Sequence, residues 1–286
     1  MVTMVVPTYN RLTALQDTVP FLLAVRGVEE ILFVDDRSPD GSAPWLRALG
    51  DPRVRVLEMD RRSGLCAARN RGIAEARGDW VVMGEDDCRF PPDYVEVLRR
   101  EAGELGADVI SAPWLFLADG EPVEQAIARS RRAAVEQIRL DQVQSYPVRP
   151  LRTPFMCALA LIRRPVFEAQ SYDVGFGGNA YREETDFFVR AERAGFSCWL
   201  TPSTHSWQVR RWPGGLHTAR WHYELWTVRN NGRFLRRHGG HLHRRNLGGR
   251  PALVQLRFTG RRAGSLLEFY GRPVAARALR RVGLRR

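Results

Sequence analysis

Short apolar runs alternate with amphipathic stretches along the first half of the chain. Val2 to Val6 is a β-branched run closed by Pro7, and Leu12 to Val25 follows at helical spacing. Ile31 to Val34 is a second run, ending in Asp35-Asp36 and the turn formers Ser38-Pro39-Asp40-Gly41. Val54 to Leu57 predicts a third strand, Ser63 to Ala76 a helix and Trp80 to Met83 a fourth strand. Buried strands alternating with helices predict an α/β fold on a parallel, doubly wound sheet, with ligands at the carboxyl ends of its strands. Asp35-Asp36 and Glu85-Asp86-Asp87 both fall at such ends.

Farther on, Pro91 to Glu104 reads as a helix with proline in its first turn, and Asp108 to Leu117 as a strand. Asp119 to Arg152 is polar and arginine-rich, helical in its first part and looser around Ser145 to Pro154. A strand over Cys157 to Ile162 precedes a flexible loop at Gly175-Phe176-Gly177-Gly178, a helix from about Glu184 to Ala194 and a strand over Ser197 to Leu200. Residues 217–238 form another helical stretch, with Trp221, Leu225, Val228 and Leu235 at helical spacing, and beyond it the pattern decays.

The 286 residues, 44% of them hydrophobic, suffice for one large α/β domain with an appendage or for two small domains. All 44 basic residues are arginine, as expected of codon bias in a GC-rich genome. Without lysine, Schiff-base chemistry, a lysine-held pyridoxal phosphate and a Gly-Lys-Ser/Thr phosphate loop are excluded, because guanidinium cannot replace the amine. Cys66, Cys88, Cys157 and Cys198 are scattered and indicate neither a disulfide framework nor a zinc site. No run approaches a membrane span, and the strand-like start is unlike a signal peptide, so the expected address is cytoplasmic. The charge is uneven: residues 1–228 balance at −3, whereas 229–286 hold 16 arginines against the single acid Glu268. Such a tail suits a solvated extension or contact with anionic lipid at the inner face of the plasma membrane. It lacks the interleaved aromatics of a nucleic-acid binder.

Adjacent hard carboxylates at Glu85-Asp86-Asp87 are what Mg²⁺ or Mn²⁺ uses when it also bridges a diphosphate, although an acidic surface turn reads the same way. Asp35 or Asp36 can accept a hydrogen bond from a nucleobase or ribose, or can cap the turn that follows. Glu183-Glu184-x-Asp186 opens a helix, where acids are favoured by the dipole alone, but a carboxylate beside a metal-diphosphate site can also act as general base. His205 follows the strand at 197–200 in a polar loop, where a histidine needs no ligand role, and Trp207 and Trp212 share that loop, where aromatics could stack on a sugar or lipid.

Five runs then stand in order: Pro7-Thr8-Tyr9-Asn10-Arg11; Val34-Asp35-Asp36-Arg37-Ser38-x-Asp40-Gly41-Ser42; Gly64-x-x-x-Ala68-Arg69-Asn70-x-Gly72-Ile73; Glu85-Asp86-Asp87 followed by Pro92-Asp93-Tyr94; and Phe176-Gly177-Gly178 leading into Glu183-Glu184-x-Asp186-Phe187. Over about 190 residues this order resembles the signature of glycosyltransferase family 2. Trp221 to His238, with Arg229-Asn230, resembles the helix that follows the catalytic domain in many members. The resemblance implies a GT-A fold over residues 1–215, with a nucleotide-sugar half (1–117) and an acceptor half (118–215), followed by a basic helical extension over 216–286. It implies inverting, metal-dependent transfer from a nucleoside-diphosphate sugar, most simply a UDP-sugar, to a glycan, lipid-linked or small-molecule acceptor. By motif position Pro7, Thr8, Tyr9, Asp35, Gly64, Arg69 and Asp86 would serve the nucleotide sugar. Asp87, Asp86 and His205 would serve a Mn²⁺ or Mg²⁺ ion, and Glu184, with Glu183 beside it, would be the base. The chain departs from the family in carrying Glu184 where Asp is usual and Glu85 for the first Asp. A sugar nucleotidyltransferase would need lysine and a glycine-rich loop after the first strand, both missing here, and the remaining rival is a nucleic-acid- or membrane-binding module.

Overall fold

The structure is a computed structural model and describes residues 1–118, 120–142, 145–208 and 220–281. Trp212 and the expected boundary at 215/216 lie outside the described residues. The first half reads β1 (Val2–Thr8), α1 (Leu12–Leu23), β2 (Glu30–Asp35), α2 (Ser42–Arg47), β3 (Val54–Glu58), α3 (Leu65–Glu75), β4 (Trp80–Met83) and α4 (Tyr94–Leu105). After it come β5 (Val109–Ser111), β6 (Trp114–Phe116), α5 (Val123–Arg132), β7 (Leu151–Arg152), β8 (Leu161–Arg163), α6 (Arg164–Ala169), α7 (Glu183–Arg193), β9 (Cys198–Leu200) and β10 (Ser206–Gln208). Two long helices close the described chain, α8 (Arg220–Arg244) and α9 (Pro251–Arg281).

Among the described residues the main sheet runs β3-β2-β1-β4-β8-β5-β9-β7, and β10 pairs with β6 apart from it. The four strands read from the apolar runs are parallel neighbours, and β1 and β2 are buried along their whole length. Their side chains alternate between two cores: Val5, Leu32 and Val34 face one, Met4, Val6, Ile31 and Phe33 the other. β2 lies on one side of β1 and β4 on the other, so the chain reverses direction across the sheet there and leaves a crevice at the carboxyl ends.

The rest corrects the pattern. The sheet is mixed, because β8 runs antiparallel to β4 and β5, and β7 antiparallel to β9. The run from 108 to 117 is two strands: Pro113 offers no N–H, and the chain leaves the main sheet there to pair β6 with β10. Of the strand expected over 157–162 regular strand begins only at Leu161: the Ala160 amide turns back onto the Ala158 carbonyl at 2.7 Å, while its carbonyl still accepts the Met83 amide at 3.0 Å. Beyond residue 238, where the sequence pattern decays, the chain is still helical: α8 runs on to Arg244 and α9 packs antiparallel on it, with Asn231 donating to Gln255 at 2.8 Å and Arg220 to Ser265 at 2.7 Å.

Candidate active site

The end of β1 is bonded to the acidic turn after β4. Thr8 ends β1, and its hydroxyl donates to Asp86 Oδ2 at 2.7 Å, joining the first motif to the acidic turn after β4. Arg11 Nη2 donates to Asp87 Oδ2 at 3.1 Å, and its Nε lies 3.8 Å from Asp86 Oδ1. Sequence reading gave Arg11 no role; as the first cation after β1 in a lysine-free chain, it was the signal available.

β1 and β2 are in register so that Thr8 faces Asp35, and Pro7 faces Val34. The Asp35 carboxylate accepts the Ser38 amide at 2.9 Å and the Ser38 hydroxyl, which shapes the turn. Its neighbour Asp36 accepts the Ser63 and Gly64 amides at 2.6 and 2.8 Å, while burial pushes its carboxyl above the ordinary range. Gly64 holds φ +89° with ψ 165°, a backbone region open to glycine alone, and so lets α3 start under Asp36. Tyr9 carries the Arg62 guanidinium 4.1 Å from its ring centre.

Arg69 lies wholly inside the protein, with no exposed surface. One guanidinium nitrogen donates to Glu85 at 3.0 Å and another to Glu183, and Tyr172 lies against its face at 5.2 Å. It therefore ties the turn after β4 to the first residue of α7. Glu183 Oε2 has no hydrogen-bond partner among the described residues.

Carboxylates dominate the electrostatics. Burial, reinforced by Asp87, pushes the Asp86 carboxyl up to about 7 against the pull of Arg11. Burial also drives Glu85 up to about 7, with Arg69 opposing and Asp87 and Glu184 adding to it. Glu183 reaches about 8 through burial, against Arg69 and with help from the Glu184 charge. Glu184 thus acts on the same cluster as the turn after β4. Opposed carboxylates with raised pKa values form a site that gains from a divalent cation.

Donor atoms of Glu85, Asp87 and Cys88 lie within 4.8 Å of one another. Burial holds the Cys88 thiol well above its ordinary value, so it stays protonated, and the two carboxylates are the hard donors that fit Mg²⁺ or Mn²⁺. Asp86 faces Thr8 and Arg11 instead. His205 stands apart from this group, its ring 5.7 Å from that of Trp207 and its charged surroundings being Arg131, Asp93 and Glu124.

The glycine loop before α7 is held by α8. Asn230 donates to the Gly177 carbonyl at 2.9 Å, and Trp226 covers Gly178, which has φ +62° and no room for a β-carbon. Asp186, wholly buried on α7, meets Arg237 and His238 of α8, each at 2.9 Å.

Residues 3–169 match the model of glycosyl transferase family 2. The chain is 37% identical over 109 residues to the succinoglycan biosynthesis protein ExoO of Rhizobium meliloti, covering 38% of this chain and 31% of that protein. It is 33% identical over 113 residues to the glycosyltransferase GlyG of Streptococcus pneumoniae, covering 38% of each. The matched part is therefore roughly a third of those relatives' length. In fold it resembles S. aureus TarS 1-349 in complex with UDP-GlcNAc, with TM-score 0.58, 14% identity, and coverage of 83% of this chain and 72% of that one. It also resembles GalNAc-T7 with UDP, GalNAc and Mn²⁺, with TM-score 0.61, 18% identity, and coverage of 82% of this chain and 47% of that one.

Proposed function

The chain belongs to glycosyltransferase family 2, and on that premise we propose that it is an inverting transferase moving a sugar from a UDP-sugar to a hydroxyl of a glycan or lipid-linked acceptor. The observation that carries this reading is Arg69, whose buried guanidinium binds both the acidic turn after β4 and the head of α7. This supports reading the metal motif and, next to Glu183, the candidate base as parts of one site. The fold likenesses to TarS with UDP-GlcNAc and to GalNAc-T7 with UDP, GalNAc and Mn²⁺ support the donor class, and ExoO, a succinoglycan biosynthesis protein, supports a glycan acceptor.

In this reading Pro7, Thr8, Tyr9, Asp35 and Gly64 line the nucleoside pocket at the ends of β1 and β2. Asp87 and Glu85, with Asp86 beside them, would hold Mn²⁺ or Mg²⁺, which when bound supplies positive charge for the departing diphosphate. Glu184 takes the proton of the acceptor hydroxyl. The acceptor oxygen bonds to the anomeric carbon from the face opposite the diphosphate as the old bond breaks, so configuration inverts without a covalent enzyme intermediate. Arg69 keeps Glu183 and Glu85 in register on either side of that reaction. Residues 1–215 form the catalytic domain in this reading, and 216–286 the basic extension.

Glu184→Gln is expected to retain UDP binding while transfer falls by roughly 10²- to 10⁴-fold, the usual worth of a general base. Single-turnover kinetics with a radiolabelled donor measures this, and near-wild-type transfer would remove Glu184 from the role. A soluble natural-product acceptor is the alternative within the same chemistry.

A further inference from the structure

Eight large apolar side chains are exposed among the described residues, and four of them lie on the α8–α9 hairpin: Trp221 (54%), Leu225 (57%), Leu253 (47%) and Leu256 (69%). Their positions follow from the contacts of the two helices. On α8, Trp226 and Asn230 face the glycine loop, while Arg220, Glu224 and Asn231 face α9. Trp221 and Leu225, four residues apart, fall on the remaining face, turned away from the catalytic domain. On α9, Phe258 stacks on Tyr181 of the catalytic domain at 5.6 Å and Gln255 faces α8. Leu253 and Leu256 fall outside both contacts. Exposed Arg229 and Arg236 flank the ridge on α8, and exposed Arg257 and Arg261 on α9.

We propose that this outer face of the hairpin docks on an anionic lipid bilayer, with the four apolar residues entering the interface and the arginines pairing with phosphate headgroups. An apolar ridge edged by arginine is the pattern of an interfacial helix, whose guanidinium groups reach up to the headgroups. Charge selects this occupant: from residue 229 onward 16 arginines meet one acid, so two copies face to face would repel, whereas an anionic surface attracts. Among the described residues no helix is long and apolar enough to cross a membrane, so contact through these helices is peripheral. α8 touches the glycine loop with its opposite face, so the bilayer would lie about one helix diameter, ~10 Å, from the loop leading into Glu184. A lipid-linked acceptor fits that distance, and this last step rests on the function proposed above.

The test is flotation of the purified full chain with vesicles of 30% phosphatidylglycerol in phosphatidylcholine, against phosphatidylcholine alone. The expected result is binding to the anionic vesicles only, weakened at least tenfold when Trp221, Leu225, Leu253 and Leu256 are all changed to serine, and at least tenfold by Arg229→Gln with Arg257→Gln and Arg261→Gln. Circular dichroism melts and donor hydrolysis without vesicles should match wild type in both variants. Equal binding to neutral vesicles, undiminished binding of the serine variant, or a dimer in light scattering that the serine variant abolishes would each overturn the proposal. Glu184→Gln should float as wild type does. Vesicle binding without donor hydrolysis would count against the transferase reading alone, and hydrolysis without vesicle binding against the docking face alone.

Discussion

Arg69 pairs with two carboxylates, Glu183 in the protein interior and Glu85 half-buried, and removing it would leave Glu183 to bear the cost of burial. Arg69→Met is expected to destabilise the fold by about 3–5 kcal/mol at pH 9, above the raised values of Glu183 and Glu85, the usual penalty for leaving a buried charge unpaired, and by less at pH 6, where both carboxyls are largely protonated. Urea unfolding at the two pH values measures it, and a loss under about 1 kcal/mol at pH 9 would contradict the pairing. The carboxylates of the site were legible in the sequence, because acids at the end of an apolar run have few structural reasons to be there. The role of Arg69 was not: its partner Glu183 arrives 114 residues later, and no local pattern encodes that meeting. By motif Arg69 was expected at the nucleotide, yet its guanidinium is turned to Glu85, Glu183 and Tyr172.

α7 and α8 are joined through Asp186. Burial alone would raise its carboxyl, but the hydrogen bonds from His238 and Arg190 and the charge of Arg237 outweigh burial and hold it below the ordinary range. A folded-state pKa below the unfolded value of about 3.9 means that the stabilisation is fully present above about pH 4 and is lost as pH falls through the lowered folded value. Asp186→Asn should therefore be less stable than wild type at pH 7, with the difference shrinking below about pH 4. Parallel urea titrations measure this, and a difference that persists unchanged at pH 2 would contradict it. β1, β2 and β4 were readable because a strand buried on both faces needs an unbroken apolar run, and β3, a half-buried edge strand, from its β-branched Val54 and Val56. α9 was not, because Leu253 and Leu256 face solvent while Val254 and Phe258 face the protein, which blurs the helical period in an arginine-rich stretch.

At the scale of the molecule, a slightly acidic catalytic part is joined to a strongly basic hairpin, and the two are assigned separate partners, a nucleotide sugar and an anionic bilayer. The absence of lysine leaves arginine, histidine and a bound cation to meet a diphosphate. Arg11 and Arg69 are already engaged with carboxylates of the site. On the proposed function, nucleotide binding would depend on a divalent ion held at Asp87 and Glu85. The most direct test is isothermal titration of UDP into the full chain with Mn²⁺, with chelator and with Asp87→Asn. Binding is expected with Mn²⁺, lost on chelation and weakened at least tenfold in the variant. UDP binding of equal strength without the metal, or none with it, would contradict a metal-dependent transferase.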